Sequence, residues 1–389
     1  MLNPEQQLAA NTWKDANCKL MILLGGPGTG KTHWIKEVWT PNTLLCAPTG
    51  SAADRLHHST GKEAHVMAKI DFDSDLIDQY QGCEMVLDES GMCDVDTFER
   101  IVFFLQPTKI LLVGDTKQLP CINGASILAT LMMEPAIPQI RLIKNMRKKN
   151  TKDSLAQFIG ELGQGKIPLI PARDESLEVI ICRDDQEALE AAANRWTKTN
   201  GQMLAFRTSD CDTLNRLSEN KSSALVDDRS RIGDRIICIR NCYKKQKKTK
   251  GMLNKDKGKL QVANGIMGTV ISQDLIKYDN GFKDKRLAKR GGGRFQSFFI
   301  PARAITTHKS QGGEFEEGIL VPAAWCNDMN ISLGFTALTR FKRRASIFCT
   351  KRTYDLAFGG KFKVEVDQEL LSAIQIEKKK RAKCLPIEQ

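Results

Sequence analysis

Short apolar runs recur along the first third of the chain, each bounded by turn-forming residues. Leu20–Leu24, Thr43–Ala47, Met85–Leu87 and Ile110–Val113 are the clearest. Amphipathic stretches separate them, and His33–Val38 has a helical pattern. This reads as buried parallel strands in a layered α/β domain. A second series follows at Leu177–Cys182, Met203–Phe206, Arg235–Ile239, Gly318–Val321 and Ala345–Cys349. Helical patterns at Asp185–Trp196 and Ser209–Asn220 lie among these runs, so a second α/β domain is expected. That series is interrupted. Asn241–Lys259 carries eight lysines against the single acid Asp256, the stretch Gly265–Ser272 is β-like, and Lys283–Arg294 is again basic. The pattern predicts a small β insertion with basic loops. Taken alone, the two lysine-rich runs fit a solvated surface equally well. No internal repeat is visible.

Length and charge narrow the class. A chain of 389 residues has room for two or three domains with real cores. The net charge of +12 suits a phosphate-rich partner, although solubility accounts for part of it. No run approaches the roughly 18 apolar residues of a membrane span, and the N-terminus lacks a charged-then-apolar leader pattern. Twelve cysteines are scattered without a C-x-x-C unit, and the closest pair, Cys238 and Cys242, has no histidine nearby. They read as free thiols in a reducing, cytoplasmic setting rather than as a zinc site. The basic run Lys378–Arg381 is too short to indicate nuclear targeting.

The candidate chemistry begins where the first apolar run ends. Gly25, Gly30, Lys31 and Thr32 fit G-x-x-x-x-G-K-[ST], with Gly26, Pro27, Gly28 and Thr29 filling the loop. Glycines allow the tight turn that aims backbone N–H groups at phosphate oxygens. The helix that follows turns its positive end toward the same anion. Lys31 adds a point charge for the β- and γ-phosphates, and the Thr32 hydroxyl suits Mg²⁺. Farther on, the run Met85–Leu87 ends in Asp88-Glu89-Ser90. Asp88 is placed to hold Mg²⁺ through water, and Glu89 to orient and deprotonate an attacking water. The next run ends in Gly114-Asp115-Thr116-Lys117-Gln118-Leu119-Pro120, which brings Gln118 to the carboxyl edge of a parallel sheet beside a nucleotide.

GGPGTGKT, VLDES and GDTKQLP, in that order, resemble motifs I, II and III of superfamily 1 helicases. LNPEQQ resembles the adenine-recognising Q motif and APTGSAA motif Ia. ITTHKSQGGEF resembles motif V, and GFTALTR motif VI. TGKEA, GDTKQLP and VANGIMGTV point to the Dda-like and RecD-like branch, whose members move 5′ to 3′ on single-stranded DNA. The resemblance implies that Gln6 reads the adenine edge and that Gln118 couples the γ-phosphate to motion. It implies arginine-finger roles for Arg340 in motif VI and for Arg147 in KNMRKKN, the motif IV segment. Gly312 and Glu314 match motif V positions near the γ-phosphate and ribose. Thr49, Thr307 and His308 match positions that touch the nucleic-acid backbone.

The chain also departs from the pattern. Val66, Met67 and Ala68 stand where the branch carries Thr-x-His in motif Ib, and the offset His65 is left without a role. Met146 stands where an aromatic residue often precedes the motif IV arginine. The branch usually inserts a strand-splitting pin before motif II. Here an acid-rich stub near 69–82 takes its place, with Phe72, Ile77 and Tyr80 among its apolar residues for a wedge.

The expected architecture is α/β, with two RecA-like parallel-sheet domains and a small SH3-like β insertion in the second. The expected bounds are 1–145 for the first domain, 146–240 and 302–389 for the second, and 241–301 for the insertion. An ATP site between the domains takes Lys31, Asp88, Glu89 and Gln118 from the first and Arg147 and Arg340 from the second. The expected activity is an ATP-dependent DNA helicase or translocase working as a monomer with Mg²⁺. Its partner would be single-stranded DNA, without a membrane, and replication or recombination proteins would be candidates for further partners. An RNA helicase of the same superfamily and a nucleotide-dependent clamp without translocation are the alternatives.

Overall fold

The structure is a computed structural model. It describes residues 2–71, 73–121, 124–144, 146, 153–170, 174–219, 231–240, 242–243, 260–272, 275–279, 281, 283–284, 299–323, 329–362 and 366–383. Two compact units are present. One comprises Met1–Pro48, Arg55–Thr151 and Phe362–Gln389, and the other Thr49–Asp54 and Lys152–Lys361.

The first unit is built on six parallel strands: β1 (Leu20–Gly25), β2 (Thr43–Ala47), β3 (Ala64–Val66), β4 (Glu84–Leu87), β5 (Lys109–Gly114) and β6 (Gln139–Leu142). Their order is β3-β2-β4-β5-β1-β6. Successive strand residues enter opposite cores. Ile22, Leu24, Leu44, Met85, Leu87 and Leu112 face one layer of helices. Met21, Leu23, Leu45, Val86, Leu111 and Val113 face the other. Burial on both faces is why these strands read as unbroken apolar runs. Trp13, Trp34 and Ile35, from the helices Pro4–Lys14 and Lys31–Val38, close the second core. The turns after β1, β4 and β5 all emerge at the carboxyl end of the sheet, where an open α/β sheet binds ligands.

The stub before β4 is part of this unit's core. Met67–Ile70 and Ser74–Tyr80 are helices, with Met67 and Ile70 buried and Ile77 and Tyr80 packed against the first core. Two of its acids serve the fold. Asp73 caps the second helix through the Leu76 N–H at 3.3 Å, and Asp71 accepts both arms of Arg100 at 3.3 and 3.2 Å. Phe72 lies outside the described residues.

The second unit carries a parallel sheet of β7 (Leu177–Ile181), β8 (Gln202–Ala205), β16 (Ala304–Thr306), β17 (Phe315–Val321) and β18 (Phe341–Cys349), ordered β16-β8-β17-β18-β7. A second sheet, antiparallel, is formed by β9 (Arg235–Cys238), β12 (Met267–Ser272), β13 (Leu275–Tyr278), β14 (Lys283–Asp284) and β15 (Phe299–Pro301), in the order β14-β13-β12-β9-β15. β10 (Cys242–Tyr243) and β11 (Leu260–Val262) form a short antiparallel pair. Two sequence expectations are corrected. Arg235–Cys238 pairs antiparallel with β12 and β15 and does not join the parallel series, so the insertion begins before residue 241. Three apolar residues after an arginine suit either kind of sheet; here the adjoining Asp234 is tied by a buried ion pair to Arg303. The segment from Phe362 belongs to the first unit, not the second. Leu370 and Ile374 of the helix Gln368–Lys383, one turn apart, pack on the first unit's core, and the Asp367 N–H bonds Thr130 Oγ1 at 2.9 Å. Lysines 244–259 and most of the basic run 283–294 lie outside the described residues. Cys18, Cys46, Cys83, Cys93, Cys121, Cys182, Cys211, Cys238 and Cys349 are free thiols, and no described helix is long and apolar enough to cross a membrane.

Candidate functional site

The phosphate loop leaves β1 at Gly25 and enters the helix Lys31–Val38 at Gly30. Gly28 and Gly30 adopt left-handed backbone, with φ of 78° and 85°. Gly30 has a second constraint: a Cβ there would lie 2.7 Å from Gln6 Nε2. Lys31 Nζ donates to the carbonyls of Gly25 and Gly26 at 2.6 and 3.2 Å, folded over its own loop.

Gln6 is positioned by its own helix. Asn3 caps Pro4–Lys14, the Gln6 N–H donating to Asn3 Oδ1 at 2.9 Å and the Asn3 N–H to Gln6 Oε1 at 3.1 Å. The Gln6 carbonyl accepts from Trp34 Nε1 at 2.9 Å, which locks this helix to the one behind the loop. Gln6 is 1 % exposed, and its Nε2 has no hydrogen-bond partner. An orphaned amide buried against a phosphate loop fits a ligand with a hydrogen-bond acceptor, such as an adenine edge. Met146 lies alongside: its N–H donates to the Gly28 carbonyl at 2.7 Å. Arg147 lies outside the described residues.

At the end of β4, Asp88 is buried, and its Oδ1 accepts the Glu89 N–H at 3.0 Å. Glu89 has φ 53° and ψ 38°, a left-handed conformation rare outside glycine and often found where a side chain must be aimed. Ser90 Oγ donates to the Val113 carbonyl at 2.9 Å and holds this turn against β5. Burial pushes the Asp88 carboxyl above the usual carboxylate range. Arg55 and Lys31 pull against that shift, and Glu89 adds to it. Arg55 bridges both acids, Nη2 lying 3.2 Å from Asp88 Oδ2 and 2.8 Å from Glu89 Oε1.

After β5, Asp115 is also buried. Its Oδ1 accepts the Lys117 N–H at 3.1 Å, and its Oδ2 has no partner. Burial raises its carboxyl too, with Lys31 the main opposing charge. Gln118 closes this turn through its N–H to the Asp115 carbonyl at 3.3 Å. The first unit therefore gathers Gln6, the loop 26–32, Asp88, Glu89 and Gln118 at one end of one sheet. Sequence reasoning missed Arg55 and Asp115 as members of this group. The residues fit a nucleoside triphosphate, and the hard oxygens of Thr32 and Asp88 are the donor chemistry Mg²⁺ prefers. Among the described residues, no cluster of three or more His, Cys, Asp or Glu could hold a metal by protein ligands alone.

In the second unit, Gly312, Glu314 and Arg340 come together. Arg340 is 3 % exposed, and its Nε and Nη1 donate to the carbonyls of Thr336 and Gly313 at 3.3 and 3.4 Å. The Phe315 N–H returns a bond to the Arg340 carbonyl at 2.8 Å. Gly312 has φ 80°, and a Cβ there would lie 2.7 Å from the Ala52 nitrogen. Glu314 pairs with Lys342 at 3.4 Å. Thr49 Oγ1 accepts the Ala52 N–H at 3.2 Å at the start of the helix Gly50–Thr60. His308 is half-buried. Thr307 departs from expectation. It is fully buried and its hydroxyl faces the Ala205 carbonyl, so this conformation does not present it as a surface contact.

Residues 1–184 match the family described as AAA domain. The chain is 25 % identical over 355 residues to the ATP-dependent RecD2 DNA helicase of Deinococcus radiodurans, covering 85 % of this chain and 47 % of that protein. It is 22 % identical over 405 residues to the RecBCD enzyme subunit RecD of Mycobacterium tuberculosis, covering 84 % and 66 %. The chain thus spans about half and two thirds of the lengths of these two relatives. Among solved structures, it resembles Pif1 helicase studied at forked double-stranded DNA, with a TM-score of 0.58, 17 % identity and 98 % of each chain covered. It also resembles Bacteroides Pif1 helicase in complex with ADP-AlF3 and single-stranded DNA, with a TM-score of 0.53, 16 % identity and 97 % and 98 % covered. The fold is that of two RecA-like domains.

Proposed function

We propose that this chain belongs to the Dda-like and RecD-like branch of superfamily 1 and is an ATP-driven motor that moves 5′ to 3′ on single-stranded DNA. The observation that carries the reading is the first unit's sheet end. A phosphate loop, a buried orphan amide at Gln6 and the Asp88–Glu89 pair converge there, the arrangement that binding and hydrolysing a nucleotide requires. The RecD2 and Pif1 likenesses support DNA as the strand.

In this reading the loop Gly26, Pro27, Gly28, Thr29 and Gly30 wraps the phosphates, and Lys31 leaves its carbonyl partners for them. Gln6 Nε2 donates to the adenine. Thr32 and Asp88 hold Mg²⁺, which when bound neutralises phosphate charge. Glu89 accepts the proton of the attacking water, and Gln118 senses the γ-phosphate. Arg340 and Arg147 supply the positive charge that transferring phosphoryl groups demand. Gly312 and Glu314 lie in the same loop system as Arg340, which lets the motif V segment respond with it. Thr49 and His308 are the contacts for the strand backbone.

The packed stub adds a limit. Ile77 and Tyr80 are committed to the core, so neither of these described residues is an apolar tip free to stack on a base pair. A lone monomer should displace bound protein more readily than it splits long duplexes.

ATP hydrolysis measured alone, with a single-stranded DNA oligonucleotide and with the RNA of the same sequence tests the reading. The expected result is stimulation by DNA exceeding that by RNA. Equal rates in all three would overturn it, and stimulation by RNA alone would move the reading to an RNA helicase.

A further inference from the structure

The least explained feature of the nucleotide site is a cation. Arg55 lies on the helix Gly50–Thr60 and bridges Asp88 and Glu89 with one nitrogen. The pairing is well sheltered: the side chains of Arg55, Asp88 and Glu89 are 22 %, 1 % and 10 % exposed. Charge-assisted hydrogen bonds are strong in such surroundings. The bond from Arg55 Nη2 occupies Glu89 Oε1, one of the two oxygens that could take a water's proton. Glu89 also sits in left-handed backbone, a strained conformation of the kind that clusters at functional sites.

The other end of the helix faces different partners. Thr49 caps it, and Ser51 Oγ donates to the Gln311 carbonyl at 2.8 Å. Gly312 approaches so closely that a Cβ would lie 2.7 Å from the Ala52 nitrogen. Ser51 and Arg55 are four residues apart and share one helix face. A small rotation or slide of this helix moves Arg55 relative to the two acids, because the helix is stiff over so short a length.

We propose that Arg55 is a positioning residue that holds Glu89 away from water in the strand-free chain, and that a strand contact at Thr49 shifts the helix and releases it. The inference rests on the reading of the protein as a strand-stimulated ATPase. It concerns which residue transmits that stimulation. Lysine in place of Arg55 keeps one charge but loses the planar fork and the reach to both acids together.

The test uses the full chain and its Arg55→Ala and Arg55→Lys variants. ATP turnover is measured with and without an oligo-dT strand, with melting curves to show that each variant folds. Arg55→Ala should turn over ATP faster without the strand and lose at least about fivefold of the stimulation ratio, the low end of typical site-to-site coupling. Its KM for ATP should stay near that of the unaltered chain. Arg55→Lys should fall between the two. A readout independent of turnover follows from charge: with Arg55 gone, Mg²⁺ should promote binding of a fluorescent ADP at lower Mg²⁺ concentration. If the unaltered chain is stimulated but Arg55→Ala keeps the same ratio, or loses strand-free turnover, the positioning role is wrong and the motor reading stands. If the unaltered chain shows no stimulation, both fall. Should Arg55→Ala fail to melt cooperatively, Arg55→Lys decides alone: an intermediate ratio supports the role and an unchanged ratio refutes it.

Discussion

Replacing Gly30 with alanine should cost more than replacing any open glycine of the same unit, and Gln6 should be the reason. Two effects add at Gly30. Its φ of 85° is left-handed, which costs an L-residue about 1–2 kcal/mol, offset by about 0.4–1 kcal/mol of lost freedom in the unfolded chain. The new Cβ would also meet Gln6 Nε2 at 2.7 Å, so Gln6 must leave its seat. Leaving it breaks the bond from the Asn3 N–H to Gln6 Oε1, worth about 0.5–1.5 kcal/mol. Gly61 supplies the control. Its φ is 69° and nothing lies within 4 Å of a Cβ, so Gly61→Ala carries the backbone term alone. The expected losses are about 2 kcal/mol for Gly30→Ala and about 1 kcal/mol or less for Gly61→Ala, or shifts of about 4–8 °C against about 2–4 °C for a unit of this size. Thermal melts without nucleotide read both, and the cycle is closed in a Gln6→Ala background, where the two substitutions should become alike. Equal losses in the unaltered chain, or an undiminished excess at Gly30 after Gln6→Ala, would show that Gln6 does not sit against the phosphate loop.

Other outcomes follow from the same site. Glu89→Gln should bind nucleotide as before yet stop hydrolysis, since an amide cannot take the water's proton; single-turnover ATP cleavage checks it. Arg340→Ala should lower turnover by on the order of 10³-fold, with ATP affinity little changed. Asp115 has a carboxyl raised by burial, so its contribution to stability is present at low pH and lost as pH rises through the folded-state value. Asp115→Asn should therefore melt higher than the unaltered chain at neutral pH, and the gain should shrink as pH falls toward the ordinary carboxylate range.

Much of the first unit was legible because its strands are buried on both faces. Leu20–Gly25, Thr43–Ala47, Glu84–Leu87 and Lys109–Gly114 agree with the apolar runs to within a residue or so. The edge strand Gln139–Leu142 was not, since only Ile140 and Leu142 are buried and two alternations make a weak signal. Arg235–Cys238 misled for a related reason: its composition says strand but not which sheet. The carboxyl-terminal helix was assigned by chain order, whereas Leu370 and Ile374 pack against the first unit's core. At the site, loop and strand-end residues were legible because each motif is contiguous. Arg55 was invisible, being 33 and 34 residues from the acids it bridges and brought to them only by the packing of its helix. Asp115 stood inside a motif, yet its burial and unpartnered oxygen come from the folded turn.

The direction of movement tests the central claim most directly. Streptavidin is placed on either end of a biotinylated single-stranded DNA, and its ATP-dependent release by the chain is timed. A motor moving 5′ to 3′ strips streptavidin from the 3′ end and leaves it on the 5′ end. Release from the 5′ end alone, or from neither end while ATP is being hydrolysed, would contradict the account.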